Sequence, residues 1–441
     1  MKRIMLSAMH SGAGKTVAVC ALLAALKRRG MDVRASKCGP DYIDPMFHTR
    51  VLGIPSRNLD LFLQGEDSVK RSLASSTGEI AVLEGAMGYY DGIAGTEQAS
   101  AWAVAKATRT PVILVLRPKG VGISLAAQIR GMMEFRPESG IVGLLLTDCP
   151  ERLAAYLTPI LERETGLPVL GYLPPMEQAR LDSRHLGLLT PEEITELSAR
   201  FDAIASQMEQ TVDLDQLLSL AAADKCSPGK ATVRDSVCRI AVARDEAFCF
   251  YYEDSLDALR AYGAELFFFS PIRDRALPED IDGLYLGGGY PELYARALSD
   301  NHSMREAVRE AALRGLPTVA ECGGFLYLQS TLEDPEGQAH PMCGVFPGAG
   351  VRTGRLQRFG YARVKAESDS MLFRRDEEIP VHEFHYWDCT QNGTDLSVEK
   401  PDGRVWRCGH VSDTLYAAFP HLHLGGAIPL AERFVKACER K

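Results

Sequence analysis

One cysteine stands in Val319-Ala320-Glu321-Cys322-Gly323-Gly324-Phe325-Leu326-Tyr327-Leu328, between a short apolar run and two glycines. The run that follows reads as a helix. A nucleophile on a sharp strand-to-helix turn needs this arrangement, because the glycines make room for substrate and leave backbone N–H groups to bind an oxyanion. A thiol reacts as its thiolate, so Cys322 needs a base. Ten histidines are available, six of them after residue 339. His421, in Tyr416-Ala417-Ala418-Phe419-Pro420-His421-Leu422-His423, lies beyond an apolar strand near the C-terminus and is the best candidate. His382 and His385 are its rivals, with His423 a further alternative. Val381-His382-Glu383-Phe384-His385 lacks HExxH spacing, so a zinc-protease reading fails. Leu286-Gly287-Gly288-Gly289-Tyr290-Pro291-Glu292 also follows a strand. Gly288 and Gly289, with Gly323, are the expected oxyanion amides.

A second chemistry lies far upstream. In Ser11-Gly12-Ala13-Gly14-Lys15-Thr16 the amides of Gly12, Ala13 and Gly14 can curl around phosphate oxygens. Lys15 would reach the β- and γ-phosphates of ATP, and the Thr16 hydroxyl would hold Mg2+. Ala8 and Met9 occupy the region of the usual first glycine, so the loop is a variant. Lys37-Cys38-Gly39-Pro40-Asp41-Tyr42-Ile43-Asp44-Pro45 adds a lysine and two carboxylates three residues apart. Glu84 ends an apolar strand and opens Gly85-Ala86-Met87-Gly88-Tyr89-Tyr90-Asp91. Magnesium takes one or two carboxylates with hydroxyl, water and phosphate oxygens. The expected metal ligands are therefore Thr16, Asp44 and Glu84. Lys37, Asp41, Tyr42, Ile43 and Asp91 join the phosphate loop as expected nucleotide-binding residues.

The bulk numbers narrow the class. At 441 residues two domains are expected. A net charge of −9 gives no reason to expect nucleic acid or anionic lipid as partner. No apolar stretch approaches the ~20 residues that span a bilayer. Nothing at the start reads as a signal peptide. Eleven scattered cysteines without CxxC spacing argue for a reduced cytoplasm rather than a disulfide framework.

Along the chain, apolar runs alternate with amphipathic segments, the pattern of an α/β fold with parallel sheets. Strands are expected at Arg3–Ala8, Asp32–Ser36, Glu79–Glu84, Pro111–Leu116, Gly140–Leu146 and Pro168–Tyr172. Helices are expected at Lys15–Arg28, Ser68–Ser75, Ala99–Ala107, Gly122–Met133 and Arg152–Glu164. This first domain spans 1–190, a helical connector and linker 191–235, and a second alternating domain 236–441.

With both centres in place, the chain resembles the cobyrinic acid a,c-diamide synthases along nearly its whole length. The resemblance is carried by the phosphate loop, Gly39 to Pro45, Ser56-Arg57-Asn58-Leu59-Asp60, Glu84 to Gly88 and Arg184-His185-Leu186-Gly187-Leu188. It continues through Ala243-Arg244-Asp245-Glu246-Ala247-Phe248, Gly287 to Glu292, the Cys322 turn and His382 to Tyr386. It implies a P-loop, dethiobiotin-synthetase-like domain followed by a class I glutamine amidotransferase-like domain. It also implies the reaction: ATP phosphorylates the a and c carboxylates of cobyrinic acid, and ammonia released from L-glutamine displaces phosphate. Hydrogenobyrinic acid or a nickel sirohydrochlorin are the alternative acceptors, and a homodimer is allowed. A surface-switching partition ATPase is disfavoured, since His10 stands where those proteins carry a second lysine and they lack an amidotransferase half.

The chain departs from the family pattern at His423, Arg117, Thr147-Asp148 and Cys38, the last in place of an aliphatic residue. The place of His421 resembles that of the histidine in class I glutamine amidotransferases, which is what favours it as the base. Those enzymes carry a glutamate two residues after their histidine; here that residue is His423, which leaves a Cys–His dyad. Arg117 stands in place of an aspartate, and Thr147-Asp148 in place of an Asn-Arg pair.

Overall fold

The computed structural model describes residues 1–176, 191–223 and 235–439. The Arg184–Leu188 motif and the Lys225–Lys230 part of the expected linker lie outside them. The chain divides into two compact units, Met1–Gly229 and Lys230–Lys441.

The first unit is built on seven strands: β1 (Lys2–Ala8), β2 (Val33–Cys38), β3 (Ser56–Leu59), β4 (Ile80–Glu84), β5 (Val112–Leu116), β6 (Ile141–Leu146) and β7 (Val169–Tyr172). They lie in the order β3-β2-β4-β1-β5-β6-β7, and every pairing is parallel. The expected α/β class with parallel sheets holds. Parallel strands are covered on both faces and so read as continuous apolar runs, as β4 and β5 do. Only β3, with Ser56-Arg57-Asn58, carries too little apolar signal to be read as a strand.

Among the described residues eight α-helices flank the sheet: α1 (Lys15–Arg28), α2 (Ile43–Arg50), α3 (Glu66–Ser75), α4 (Ala101–Thr108), α5 (Ser124–Glu134), α6 (Glu151–Thr165), α7 (Pro191–Thr211) and α8 (Leu214–Leu220). Alternation along β1 sends Ile4 and Leu6 to the face covered by α1, α7 and α8, while Met5 faces the side of α3 to α6.

The placement of α7 and α8 corrects the expected boundaries. Over its described residues the segment set apart as a connector belongs to the first core. Phe201, Ile204, Met208, Leu214 and Leu217 are buried there. The Phe201 ring meets Phe47 edge to face at 5.3 Å. Beyond α8, Ala222 exchanges two backbone hydrogen bonds with Arg3, at 2.9 and 3.1 Å. The reason is physical: an amphipathic helix must bury its apolar stripe, and α1 offers the matching surface.

The second unit repeats the parallel theme. It contains β8 (Cys238–Ala243), β9 (Phe248–Phe250), β10 (Ala264–Phe269), β11 (Gly283–Leu286), β12 (Gly288–Gly289) and β13 (Thr318–Glu321). Its helices include α9 (Glu253–Ala261), α10 (Ala295–Asp300), α11 (His302–Leu313) and α12 (Gly323–Tyr327). The main sheet runs β10-β8-β11-β13 and continues with the parallel strand Leu415–Ala418 and the antiparallel edge His410–Val411. A separate antiparallel sheet ends on Glu378–His385 and His421–Leu422. No helix among the described residues is long and apolar enough to cross a membrane.

Phe201→Ala should remove about 3–5 kcal/mol from the first unit. Urea-dependent hydrogen exchange in peptides from β1 and α1 measures this. Protection there that does not change would show that α7 is no part of that core.

Candidate active sites

The phosphate loop joins β1 to α1 at the C-terminal end of the sheet, where open α/β folds bind ligands. Gly14 caps α1 with φ of 85°, a left-handed conformation that favours glycine. Thr147, just after β6, donates its hydroxyl to the Ala13 carbonyl at 2.7 Å. A Cβ on Gly14 would lie 3.2 Å from that hydroxyl oxygen. Gly12 also has a left-handed φ, of 79°. Lys15 donates to the carbonyls of His10 at 3.1 Å and Met87 at 2.5 Å. Burial, then the neighbouring Lys37, pull its ammonium down to about 8.

Thr16, Lys37, Asp44 and Glu84 converge beneath the loop. The Thr16 hydroxyl donates to Glu84 Oε1 at 2.7 Å. Lys37 Nζ lies 2.9 Å from Glu84 Oε1 and 2.5 Å from Asp44 Oδ2. His48 Nε2 stands 3.6 Å from Glu84 Oε2, while its Nδ1 meets the Ser56 hydroxyl at 3.0 Å. Burial would raise Glu84, but Lys37 and His48 outweigh it and hold the carboxyl well below its usual range. Asp44 goes the other way: burial and the Glu84 charge push it up to about 8. Two carboxylates thus share one lysine, and Glu84 keeps the charge. Among the described residues no group of three or more His, Cys, Asp or Glu is arranged to hold a metal alone. The donor set here, two carboxylates already gathered about a cation plus a hydroxyl, fits Mg2+ that takes its remaining oxygens from phosphate and water.

The other expected nucleotide residues have local partners. Asp41 Oδ1 accepts the Ile43 N–H at 2.9 Å, at the start of α2. Asp91 Oδ2 accepts the Gly88 N–H at 3.0 Å, closing the 88–91 turn. Tyr42 is buried, and Ile43 packs against the first core. Two of the family departures pair with each other. Arg117 Nε donates to Asp148 Oδ2 at 2.7 Å.

In the second unit Cys322 follows β13 with φ 47° and ψ −98°. A non-glycine residue held there stores about 1–3 kcal/mol of strain and turns its side chain out of the strand. Its N–H donates to the Ala418 carbonyl at 2.8 Å, and the Leu326 N–H returns to its own carbonyl at 2.9 Å. Burial, then Glu292, push the thiol far above its usual range. The resting group is a thiol, and a base must deprotonate it.

His421 lies just beyond the adjacent strand. Leu415–Ala418 pairs with β13, and three residues later His421 pairs in register with His382. Gly288 sits against the ring, since a Cβ there would lie 2.5 Å from His421 Cε1. The Gly289 amide nitrogen lies 3.1 Å from where a Cβ on Gly323 would be. Cys322, Gly323, Gly288, Gly289 and His421 therefore meet.

The rivals have other surroundings. Neither ring nitrogen of His423 meets a hydrogen-bond partner among the described residues, and its ring stacks on Tyr252 at 4.8 Å. Burial pulls it down to about 3. Burial and the nearby His421 pull His382 down to about 3 as well. Both stay neutral.

Sequence reasoning missed Glu321 and His48. Glu321 is buried, its Oε1 accepts the Leu422 N–H at 2.9 Å, and its Oε2 lies 3.9 Å from His421 Nδ1. A carboxylate closing an apolar strand was the signal available, as it was for Glu84. Only the fold brings a carboxylate to the histidine, so the expectation that none is near is corrected. Gly288→Ala should push the His421 ring aside and slow alkylation of Cys322 by iodoacetamide about 10²-fold. Peptide mapping reads this, and an unchanged rate would separate Gly288 from the base.

Residues 4–189 match the family model of the CobQ/CobB/MinD/ParA nucleotide binding domain, and residues 239–427 that of the CobB/CobQ-like glutamine amidotransferase domain. The cobyrinate a,c-diamide synthase of Listeria innocua is 40% identical over 438 residues, covering 96% of each chain. That of Clostridium acetobutylicum is 38% identical over 443 residues, covering 99% of this chain and 100% of its own. That of Priestia megaterium is 35% identical over 447 residues, covering 99% and 97%. The chain belongs to the cobyrinate a,c-diamide synthase family, ligases in which a nucleotide-binding unit precedes a glutamine amidotransferase unit.

Proposed function

We propose that the chain amidates the a and c side-chain carboxylates of cobyrinic acid, using ATP to activate each carboxylate and glutamine as the nitrogen source. The observation that carries this reading is the pairing, in one chain, of the Cys322–His421 turn with the Lys15–Thr16–Glu84 cluster. The names of the full-length relatives support the acceptor.

A carboxylate is a poor acyl donor because its leaving group would be oxide. Transfer of the γ-phosphoryl group to a carboxylate oxygen makes phosphate the leaving group. Positioning and charge neutralisation dominate such a step. Lys15, at the mouth of the loop, neutralises phosphate charge, and the loop amides hold the chain of phosphates. Thr16, Glu84 and Asp44 are the residues that would hold Mg2+, whose contribution is further charge neutralisation. Lys37 sets the charge of that group by sharing its proton-rich head between Glu84 and Asp44.

In the second unit His421 takes the Cys322 proton and the sulfur adds to the glutamine amide carbon. The Gly289 and Gly323 amides would receive the oxyanion. His421 then returns the proton to the departing nitrogen, which leaves as ammonia, and water hydrolyses the thioester. Ammonia displaces phosphate from the activated carboxylate.

Mass spectrometry after incubation with glutamine, Mg·ATP and candidate tetrapyrroles is the direct test. Two successive exchanges of OH for NH2 on cobyrinic acid are expected. Exchange only on hydrogenobyrinic acid or on nickel sirohydrochlorin would change the acceptor.

Cys322→Ser should lose glutamine-dependent amidation by on the order of 10³-fold or more while ammonium still supports it. Equal loss with both nitrogen sources would refute a role confined to ammonia release. Lys15→Ala should lose amidation from either source. Positional isotope exchange in ATP, run with acceptor and no nitrogen donor, isolates the first step, and undiminished exchange would sink the phosphate-loop assignment.

A further inference from the structure

Glu321 immediately precedes the nucleophile and ends β13 with its side chain in the interior, 1% exposed. A buried carboxylate demands partners. The Leu422 N–H donates to its Oε1 at 2.9 Å, and the Tyr285 hydroxyl donates to its Oε2 at 3.2 Å. The same Oε2 lies 3.9 Å from Nδ1 of His421. One carboxylate therefore ties down the backbone of Leu422 and faces the ring of the residue before it. On another edge the ring is bounded by Gly288, against its Cε1.

A histidine that shuttles a proton works in one tautomer and one orientation, and a carboxylate on the far nitrogen commonly sets both. The position two residues after His421, where the wider class carries that acid, is His423, packed on Tyr252. We infer that Glu321 is the positioning residue for His421, supplied from the nucleophile's own strand. Facing Nδ1, it holds the Nδ1–H tautomer and leaves Nε2 to receive the Cys322 proton. When that proton arrives the ring becomes an imidazolium, and the 3.9 Å contact tightens into a charged hydrogen bond. The positive charge is neutralised until Nε2 gives the proton to the departing ammonia. This rests on the reading of Cys322 and His421 as the glutaminase pair.

The test separates charge from shape. Glutamine Oε1 would still accept the Leu422 N–H and keep the length of the side chain, whereas aspartate keeps the carboxylate and leaves a void. Glu321→Gln should lower kcat for glutamine hydrolysis about 10²-fold with KM for glutamine nearly unchanged, and Glu321→Asp should lose less. Long-range 15N NMR of His421 in the full chain should show the Nδ1–H tautomer in the unsubstituted protein and its loss in Glu321→Gln. The opposite order, with Glu321→Asp the worse variant and the tautomer unmoved, would make Glu321 a packing residue. An Nε2–H tautomer in the unsubstituted protein would overturn the inference even if neither variant folds. Cys322→Ser and His421→Asn serve as the reference. Continued glutamine hydrolysis in those two would remove the glutaminase reading itself, and the inference with it.

Discussion

Among the described residues, most strands of the two parallel sheets, such as β1, β4 and β5 in one unit and β8, β11 and β13 in the other, are buried, and a polar side chain inside them is costly without a partner. Reactive groups can then stand only where strands end. Lys15 and Thr16 follow β1, Lys37 and Asp44 follow or close β2, and Glu84 is the last residue of β4. Cys322 follows β13, and His421 follows the strand beside it. Parallel pairing puts all of these ends at one edge of each sheet, so residues distant in sequence meet without any long loop to bring them.

The same constraint governs the charges. Glu84 is fully buried and would be costly alone, yet Lys37, Thr16 and His48 surround it and keep it ionised. Its neighbour Asp44 cannot hold a second full charge at the same lysine and is driven towards protonation. The two carboxylates are thereby held together around a lysine. In the second unit the Cys322 thiol is kept protonated by burial.

Positions that break a family pattern became intelligible as pairs. Arg117 and Asp148 depart from expectation separately but pair with each other in space. His423 departs from the usual acid, and Glu321, from a different strand, faces the histidine in its stead.

Much of this was legible in one dimension. Apolar runs of strand length, alternating with helices, dictated parallel sheets, and glycines beside Lys15 and beside Cys322 marked both turns, because only certain residues tolerate those backbones. Cys322 and Glu84 could be singled out by residue type at a strand end, and Thr16 and Asp44 by the motifs that hold them. Tertiary structure alone decided the rest. It drew α7 and α8 into the first core, since an amphipathic stripe does not announce which surface will cover it. It recruited His48, whose partner Glu84 is remote in sequence, and made β3 a strand despite its polar residues, because the neighbouring β2 completes its hydrogen bonds. It also set Glu321 beside His421, a contact fixed by the pairing of β13 with Leu415–Ala418 and therefore invisible until the strands are laid side by side.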